Sequence, residues 1–337
     1  MMGVLAVIVY IGCYTDDVHT NGLHACRIDA KTGAIASVAS YAVPNPLYFA
    51  RSGSILYSTC TSGLSSFRAV DGGLEPVDSV RIDGGSGMCH LSVMPGGGSV
   101  AWAAYSGGLV GTVEVSDGRF GRLTSHAHKG SGPNLPRQDA AHPHCAVPTP
   151  DGKGFVVCDL GLDSIVTYPG GRSFGTTPAG AGPRHVLFHP NGRLAFVVFE
   201  LGNYLGVYEW SAEKGFGRLL DQVRTVEAWP TGRGYNGDLG AAVRFTPDGR
   251  RVVVSNRGEQ SLVAYDFDEA TGKIAFKART KLPGSWPRDF IFLGDTLALV
   301  TMERTGEVHT LQYDPQSATF RVLATLGGFH RPVAALQ

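Results

Sequence analysis

The chain has 337 residues, 43% of them hydrophobic and 17% charged, and its 29 basic and 29 acidic side chains give a formal net charge of zero. This balance excludes a disordered or heavily solvated chain, and it argues against a nucleic-acid or anionic-membrane binder, which carries a basic excess. The length suits two or three ordinary domains or one large all-β domain.

Residues 4–11 are apolar and run into Gly12-Cys13. No Lys or Arg precedes the run, the run is short, and Tyr10 suits a strand better than a cleavage site. It therefore reads as a strand that closes a ring with C-terminal segments. No run reaches the ~20 apolar residues of a transmembrane helix. Residues 8–13, 22–28 and 35–41 are β-rich, with turns at Thr15-Asp16-Asp17 and Lys31-Thr32-Gly33; the latter turn recurs as Ala270-Thr271-Gly272-Lys273. Short strands at regular spacing, without helical periodicity, indicate an all-β chain.

A repeated module follows. Pro150-Asp151-Gly152-Lys153, Pro190-Asn191-Gly192-Arg193 and Pro247-Asp248-Gly249-Arg250 are one turn, each followed by an apolar strand: 155–158, 194–199 and 252–255. Degenerate copies lie at 51–54, 95–98 and 293–295. Steps of roughly 40 to 57 residues are the period of propeller blades. The irregular stretches 127–141 and 227–239 precede modules and read as loops on one rim, where function usually sits. No linker interrupts the pattern, so 1–337 is expected to be a single propeller domain. The six cysteines form no C-x-x-C pair and lie mostly in apolar strands, which points to a reducing, cytoplasmic setting.

In such an array, equivalent positions ring one axis. The column six residues before each turn proline reads Cys89, His144, Arg184 and Ala241, with Arg288 at the sixth copy; the next column reads His90, Cys145, His185, Ala242 and Asp289. A further polar set follows the next strand: Asp159, Glu200, Asn256 and Arg257. A core strand does not repeatedly carry such residues without a reason, so these side chains are expected to converge on one pocket. There His144 has the pKa range of a general acid or base, and Glu200 becomes a base if burial raises its pKa. Arg184, Arg257 and Arg288 offer forked donors to a carboxylate, a phosphate or an oxyanion. The set suits anionic substrates and lactone chemistry.

Other readings are weaker. His142-x-His144 has the spacing of two metal ligands but no acidic ligand at matched spacing. Cys145 beside His144 reads as a packing residue, because adjacent strand residues face opposite ways. Gly84-Gly85-Ser86-Gly87 lacks the Lys-Ser/Thr and helix of a phosphate loop, and no G-x-S-x-G elbow is present.

The motifs Tyr10-Ile11-Gly12-Cys13-Tyr14-Thr15, Cys89-His90, Tyr105-Ser106-Gly107-Gly108, Arg137-Gln138-Asp139, His142-Pro143-His144, Asp159-Leu160-Gly161, Gly182-Pro183-Arg184-His185, Ser255-Asn256-Arg257-Gly258 and Trp286-Pro287-Arg288-Asp289-Phe290 occur in that order. In order and phasing the chain resembles, nearly end to end, the lactonase family of seven-bladed β-propellers. That family includes bacterial propeller-type 6-phosphogluconolactonase and the fungal 3-carboxy-cis,cis-muconate lactonizing enzyme. The resemblance implies a seven-bladed, metal-independent hydrolase without a cofactor. It carries the family's catalytic His, Glu and two Arg onto His144, Glu200, Arg184 and Arg257. His90, His142, His185, Arg288 and Asn256 are expected to contact substrate. The expected partner is a small anionic lactone, 6-phosphogluconolactone first; the alternatives are a carboxylated lactone, hydrolysed or formed by cycloisomerisation, and a non-catalytic propeller that binds a ligand or protein on its rim. Departures from the family pattern lie at Ala242, at the degenerate sixth turn and at Ser58-Thr59-Cys60.

Overall fold

The computed structural model describes residues 6–71, 73–176, 178–227 and 237–337. Residues 4 and 5 of the expected first strand and most of the expected loop 227–239 lie outside them. The described strands form seven four-stranded antiparallel sheets. Blade 1 combines 6–41 with 332–336, and blades 2 to 7 follow as 49–81, 88–127, 143–175, 183–224, 239–281 and 287–327. This is a seven-bladed β-propeller. Strand Ala6–Cys13 pairs with the C-terminal strand Pro332–Leu336, so both ends of the chain share one sheet, as the apolar first segment implies.

The chain falls into two compact units. One comprises Met1–Pro46, Thr225–Asp268 and Ile274–Gln337 and holds blades 1, 6 and 7; the other comprises Leu47–Arg224 with Glu269–Lys273 and holds blades 2 to 5.

Blade 4 shows why apolar runs become second strands. Every residue of Phe155–Asp159 is buried. Phe155 and Val157 pack with Ala101, Ala103 and Val110 of blade 3, while Val156 and Cys158 pack with Val186, Ala195 and Val197 of blade 5. A strand covered on both faces reads as a continuous apolar run, not an alternating one. The outer strand of blade 3, Arg119–Ala127, is mostly exposed and correspondingly polar.

The three intact turns share one conformation. Gly152, Gly192 and Gly249 have φ of 69°, 68° and 69°, a region that only glycine enters without strain. Thr149 Oγ1 donates to Asp151 Oδ1, and Thr246 Oγ1 to Asp248 Oδ1, both at 2.6 Å. Asp or Asn at the second position then accepts the amide of Lys153, Arg193 or Arg250.

The first strand of a blade is one edge of its sheet. Near the start of this strand the register slips in blades 3, 4, 5 and 7, between Met88 and His90, Pro143 and Cys145, Pro183 and His185, and Pro287 and Asp289. The extra residue is Cys89, His144, Arg184 or Arg288. A β-bulge frees one residue from the ladder and re-aims it, so strict alternation fails at the column that carries the polar side chains.

Candidate active site

In the unit of blades 2 to 5, first-strand side chains from blades 3, 4 and 5 meet. His185 of blade 5 lies 5.5 Å from His144 of blade 4 and 5.5 Å from His90 of blade 3, ring centre to ring centre. His90 stacks on Tyr48, just before blade 2, at 4.0 Å. Side chains of three successive sheets meet in this way when they sit on the inner edges. Ala146 N donates to His90 Nδ1 at 3.3 Å, which fixes that imidazole as the Nε2–H tautomer.

Glu200 follows the second strand of blade 5 and is 2% exposed. Arg184 Nε donates to its Oε2 at 3.0 Å and Arg137 Nη2 to its Oε1 at 2.6 Å. His144 Nε2 stands 3.8 Å from Oε2. Arg184 Nη1 also lies 3.1 Å from His185 Nε2. The expectation that burial alone makes Glu200 a base therefore meets an opposing effect, because two guanidinium groups stabilise the carboxylate. Burial also works against the Arg137 charge, but Glu200 and the Tyr105 hydroxyl outweigh it and hold the guanidinium above its ordinary range.

Arg137 comes from the loop between blades 3 and 4, an irregular stretch outside the repeat columns. Asp159 pins both ends of this loop: Oδ2 takes His128 Nδ1 at 2.6 Å, and Oδ1 takes the amide of His142 at 2.8 Å. Gln138 anchors the middle through Leu160 O and Asp163 Oδ1 at 2.7 and 2.6 Å. Gly161 is required beside the loop, since a Cβ there would lie 1.8 Å from Ala140 O.

His142 and His144 take different partners. His142 stacks on Tyr105 at 4.3 Å, with Nε2 3.0 Å from Asp139 Oδ1, whereas His144 stands at 79° to the same tyrosine ring. Cys145 packs in the buried cluster with Cys158 and Val186, as its strand position implies.

In the unit of blades 1, 6 and 7, Arg257 is 3% exposed; it donates from Nη2 to Gly240 O at 2.7 Å and lies 5.8 Å from the Trp286 ring centre. Arg288 Nη1 donates to Glu303 Oε2 at 3.0 Å, and Arg331 holds the other carboxylate oxygen. Both arginines lie over Tyr14, at 5.7 and 4.1 Å. Burial raises the Glu303 pKa, but Arg288, Arg331 and Arg257 outweigh it, so the carboxyl is held below its usual range. Trp286 has φ of 74°, a strained value for a bulky residue, and its amide donates to Gln260 Oε1 at 2.7 Å. Asn256 is fully buried and donates to Thr225 O and Ser261 Oγ at 2.8 and 3.2 Å, a tie that fixes backbone next to Arg257.

The repeat columns thus pick out His90, His144, Arg184, His185 and Glu200, which the structure brings together. They miss Arg137, Tyr105 and Tyr48, and in the other unit Tyr14, Glu303 and Arg331. These lie in loops or outside the columns, although Tyr14, Tyr105 and Arg137 fall in motifs that carry the resemblance.

The propeller thus holds a buried Glu200 carboxylate between two arginines, with a histidine 3.8 Å away. The chain belongs to the lactonase family of seven-bladed β-propellers: residues 8–334 match the family described as "Lactonase, 7-bladed beta-propeller". It is thus a lactone-hydrolysing enzyme, a carboxylic ester hydrolase. It is 32% identical over 346 residues to 6-phosphogluconolactonase of Bacillus subtilis (strain 168), covering 96% of each chain. A solved structure of a Lactobacillus plantarum protein matches with a TM-score of 0.88 at 26% identity, covering 99% of this chain and 100% of that one. The periplasmic gluconolactonase of Pseudomonas aeruginosa matches with a TM-score of 0.85 at 25% identity, covering 98% of each chain.

Proposed function

We propose that the protein hydrolyses 6-phosphogluconolactone to 6-phosphogluconate without a metal ion, a step of the pentose phosphate pathway in the cytoplasm. The observation that carries this reading is the buried carboxylate of Glu200 held by Arg184 and Arg137, with His144 Nε2 3.8 Å away. The phosphorylated substrate is favoured by the near full-length similarity to the Bacillus subtilis enzyme. Burial of Cys13, Cys26, Cys145 and Cys158 as apolar side chains accords with a reducing compartment.

In this reading His144 takes a proton from water as the water oxygen bonds to the lactone carbonyl carbon. The carbonyl electron pair moves onto its oxygen, and the Arg184 guanidinium stabilises that oxyanion. Glu200 is a positioning residue: it fixes Arg184 and lies close enough to favour the imidazolium that forms. Collapse of the intermediate breaks the bond from the carbonyl carbon to the ring oxygen, which leaves as a hydroxyl with the proton from His144. The new carboxylic acid then ionises. Both oxygens of Glu200 already accept from guanidinium groups, which is why the base role goes to His144. His90, His142 and His185 are proposed substrate contacts on this unit. Arg257, Arg288 and Asn256 enter the proposal through the resemblance and the repeat columns.

His144→Ala and Arg184→Ala should each lower turnover by about 10²- to 10⁴-fold while the far-UV circular dichroism stays that of a β-protein. Wild-type activity in both folded variants would remove these residues from the mechanism.

A further inference from the structure

Four arginines and one carboxylate gather on two aromatic rings in the unit of blades 1, 6 and 7. Trp286 carries the Arg304 guanidinium 3.3 Å from its ring centre and Arg257 at 5.8 Å. Tyr14 carries Arg331 at 4.1 Å and Arg288 at 5.7 Å. Glu303 joins the two sets. Its carboxylate accepts from Arg288 and Arg331, and its amide donates to Trp286 O at 3.0 Å. The next amide, that of Arg304, donates to Ser285 O at 3.1 Å, which seats Arg304 beside the tryptophan.

The charges of this cluster do not balance. Glu303 stays ionised, because the arginines hold its carboxyl below the usual range, and it offsets one guanidinium of the four. Like charges gathered in one place repel, and the chain as a whole has no basic surplus to account for them. Arg304 is exposed, and among the described residues its side chain makes no hydrogen bond or ion pair. Covering Trp286 needs only an apolar stem. Stacking a guanidinium there does more, since it fixes the plane of the fork and leaves the N–H donors at its edge open. The backbone beneath is strained as well: Trp286 and Arg331 hold φ of 74° and 50°, left-handed values that persist where a structure is shaped around a ligand.

We propose that this cluster binds a phosphoryl dianion, with Arg304 and Arg331 as its exposed arms and Arg257 and Arg288 as its buried base. Arg331 is 51% exposed although Glu303 and Tyr14 hold it in place, so it too offers a preset fork. Planar forks match phosphate oxygens. A dianion meets the charge that Glu303 leaves over better than a single carboxylate does. Free phosphate and the phosphoryl group of a phosphorylated lactone share this chemistry, and the site does not rest on which lactone is opened.

The test titrates inorganic phosphate into the full chain by calorimetry, at low and constant ionic strength. One equivalent should bind. Arg304→Ala removes an exposed side chain and spares the core; it should weaken binding by about tenfold or more, the loss of a charged hydrogen bond. Arg331→Ala should do the same, and Arg304→Lys should recover only part, since lysine lacks the planar fork. Arg119→Ala, on the exposed outer strand of blade 3, should bind like wild type. Kinetics then identify the source of the anion. Phosphate that competes with the phosphorylated lactone, together with a raised KM for that lactone alone in Arg304→Ala, assigns the site to the substrate's phosphoryl group. Saturable binding without competition assigns it to free phosphate, and either result supports the site. An absence of saturable binding, or binding that Arg304→Ala leaves unchanged, overturns the proposal.

Discussion

Arg137 is the residue on which the candidate site adds most to the sequence columns. Its side chain is 31% exposed while its partner Glu200 is 2% exposed, so it links a buried carboxylate to the solvent. Removing it leaves Glu200 with one guanidinium instead of two. Arg137→Ala should lower kcat/KM by roughly tenfold to a hundredfold, about 1.4–3 kcal/mol of transition-state stabilisation. Arg137→Lys should recover only part of this, since a lysine lacks the planar fork. Steady-state kinetics on folded variants measure both, and an unchanged kcat/KM in Arg137→Ala would contradict the role. His144, Arg184 and Glu200 were legible in the sequence because repetition turns a column into a place. The columns do not reach Arg137, which a resemblance motif contains but gives no role, because it sits in a loop outside the repeat and meets Glu200 across 63 positions.

At the scale of elements, the strands were legible almost to the residue: 35–41 and 194–199 run as Ile35–Tyr41 and Leu194–Phe199. Doubly covered strands are continuous apolar runs, and the Pro-Asp-Gly turns punctuate them. The bulges were hidden. Pro143 and Pro183 stand directly before the slips at His144 and Arg184, but a proline at the start of a strand marks an edge as readily as a bulge, and only the slip re-aims both side chains. The seating of loop 128–142 was hidden too, because Asp159 makes its contacts at separations of 31 and 17 positions. That clasp is testable. Asp159→Asn places an amide where His128 Nδ1 now meets a buried carboxylate oxygen. It should cost about 1–3 kcal/mol of stability, seen as a lower denaturant midpoint, together with a fall in kcat/KM as Arg137 loses its setting. Unchanged stability and kinetics would mean that the loop is held by Gln138 and Gly161 without the clasp.

Across the whole molecule, a chain of zero net charge keeps its cations for local use. Arginines and histidines gather at particular blade positions, while the strands that join them are apolar. The repeat spacing made the propeller legible, and the ordered motifs made its family legible. The substrate was not legible in the same way: Ala242, a departure from the family pattern's acid, is buried among apolar neighbours. In the proposed function this scaffold opens a phosphorylated sugar lactone with its own side chains. The most direct measurement follows the hydrolysis of freshly generated 6-phosphoglucono-δ-lactone, with δ-gluconolactone alongside, in EDTA and against the spontaneous rate. Rapid, chelator-resistant turnover of the phosphorylated lactone is the expected result. No acceleration of that lactone above the spontaneous rate would contradict it.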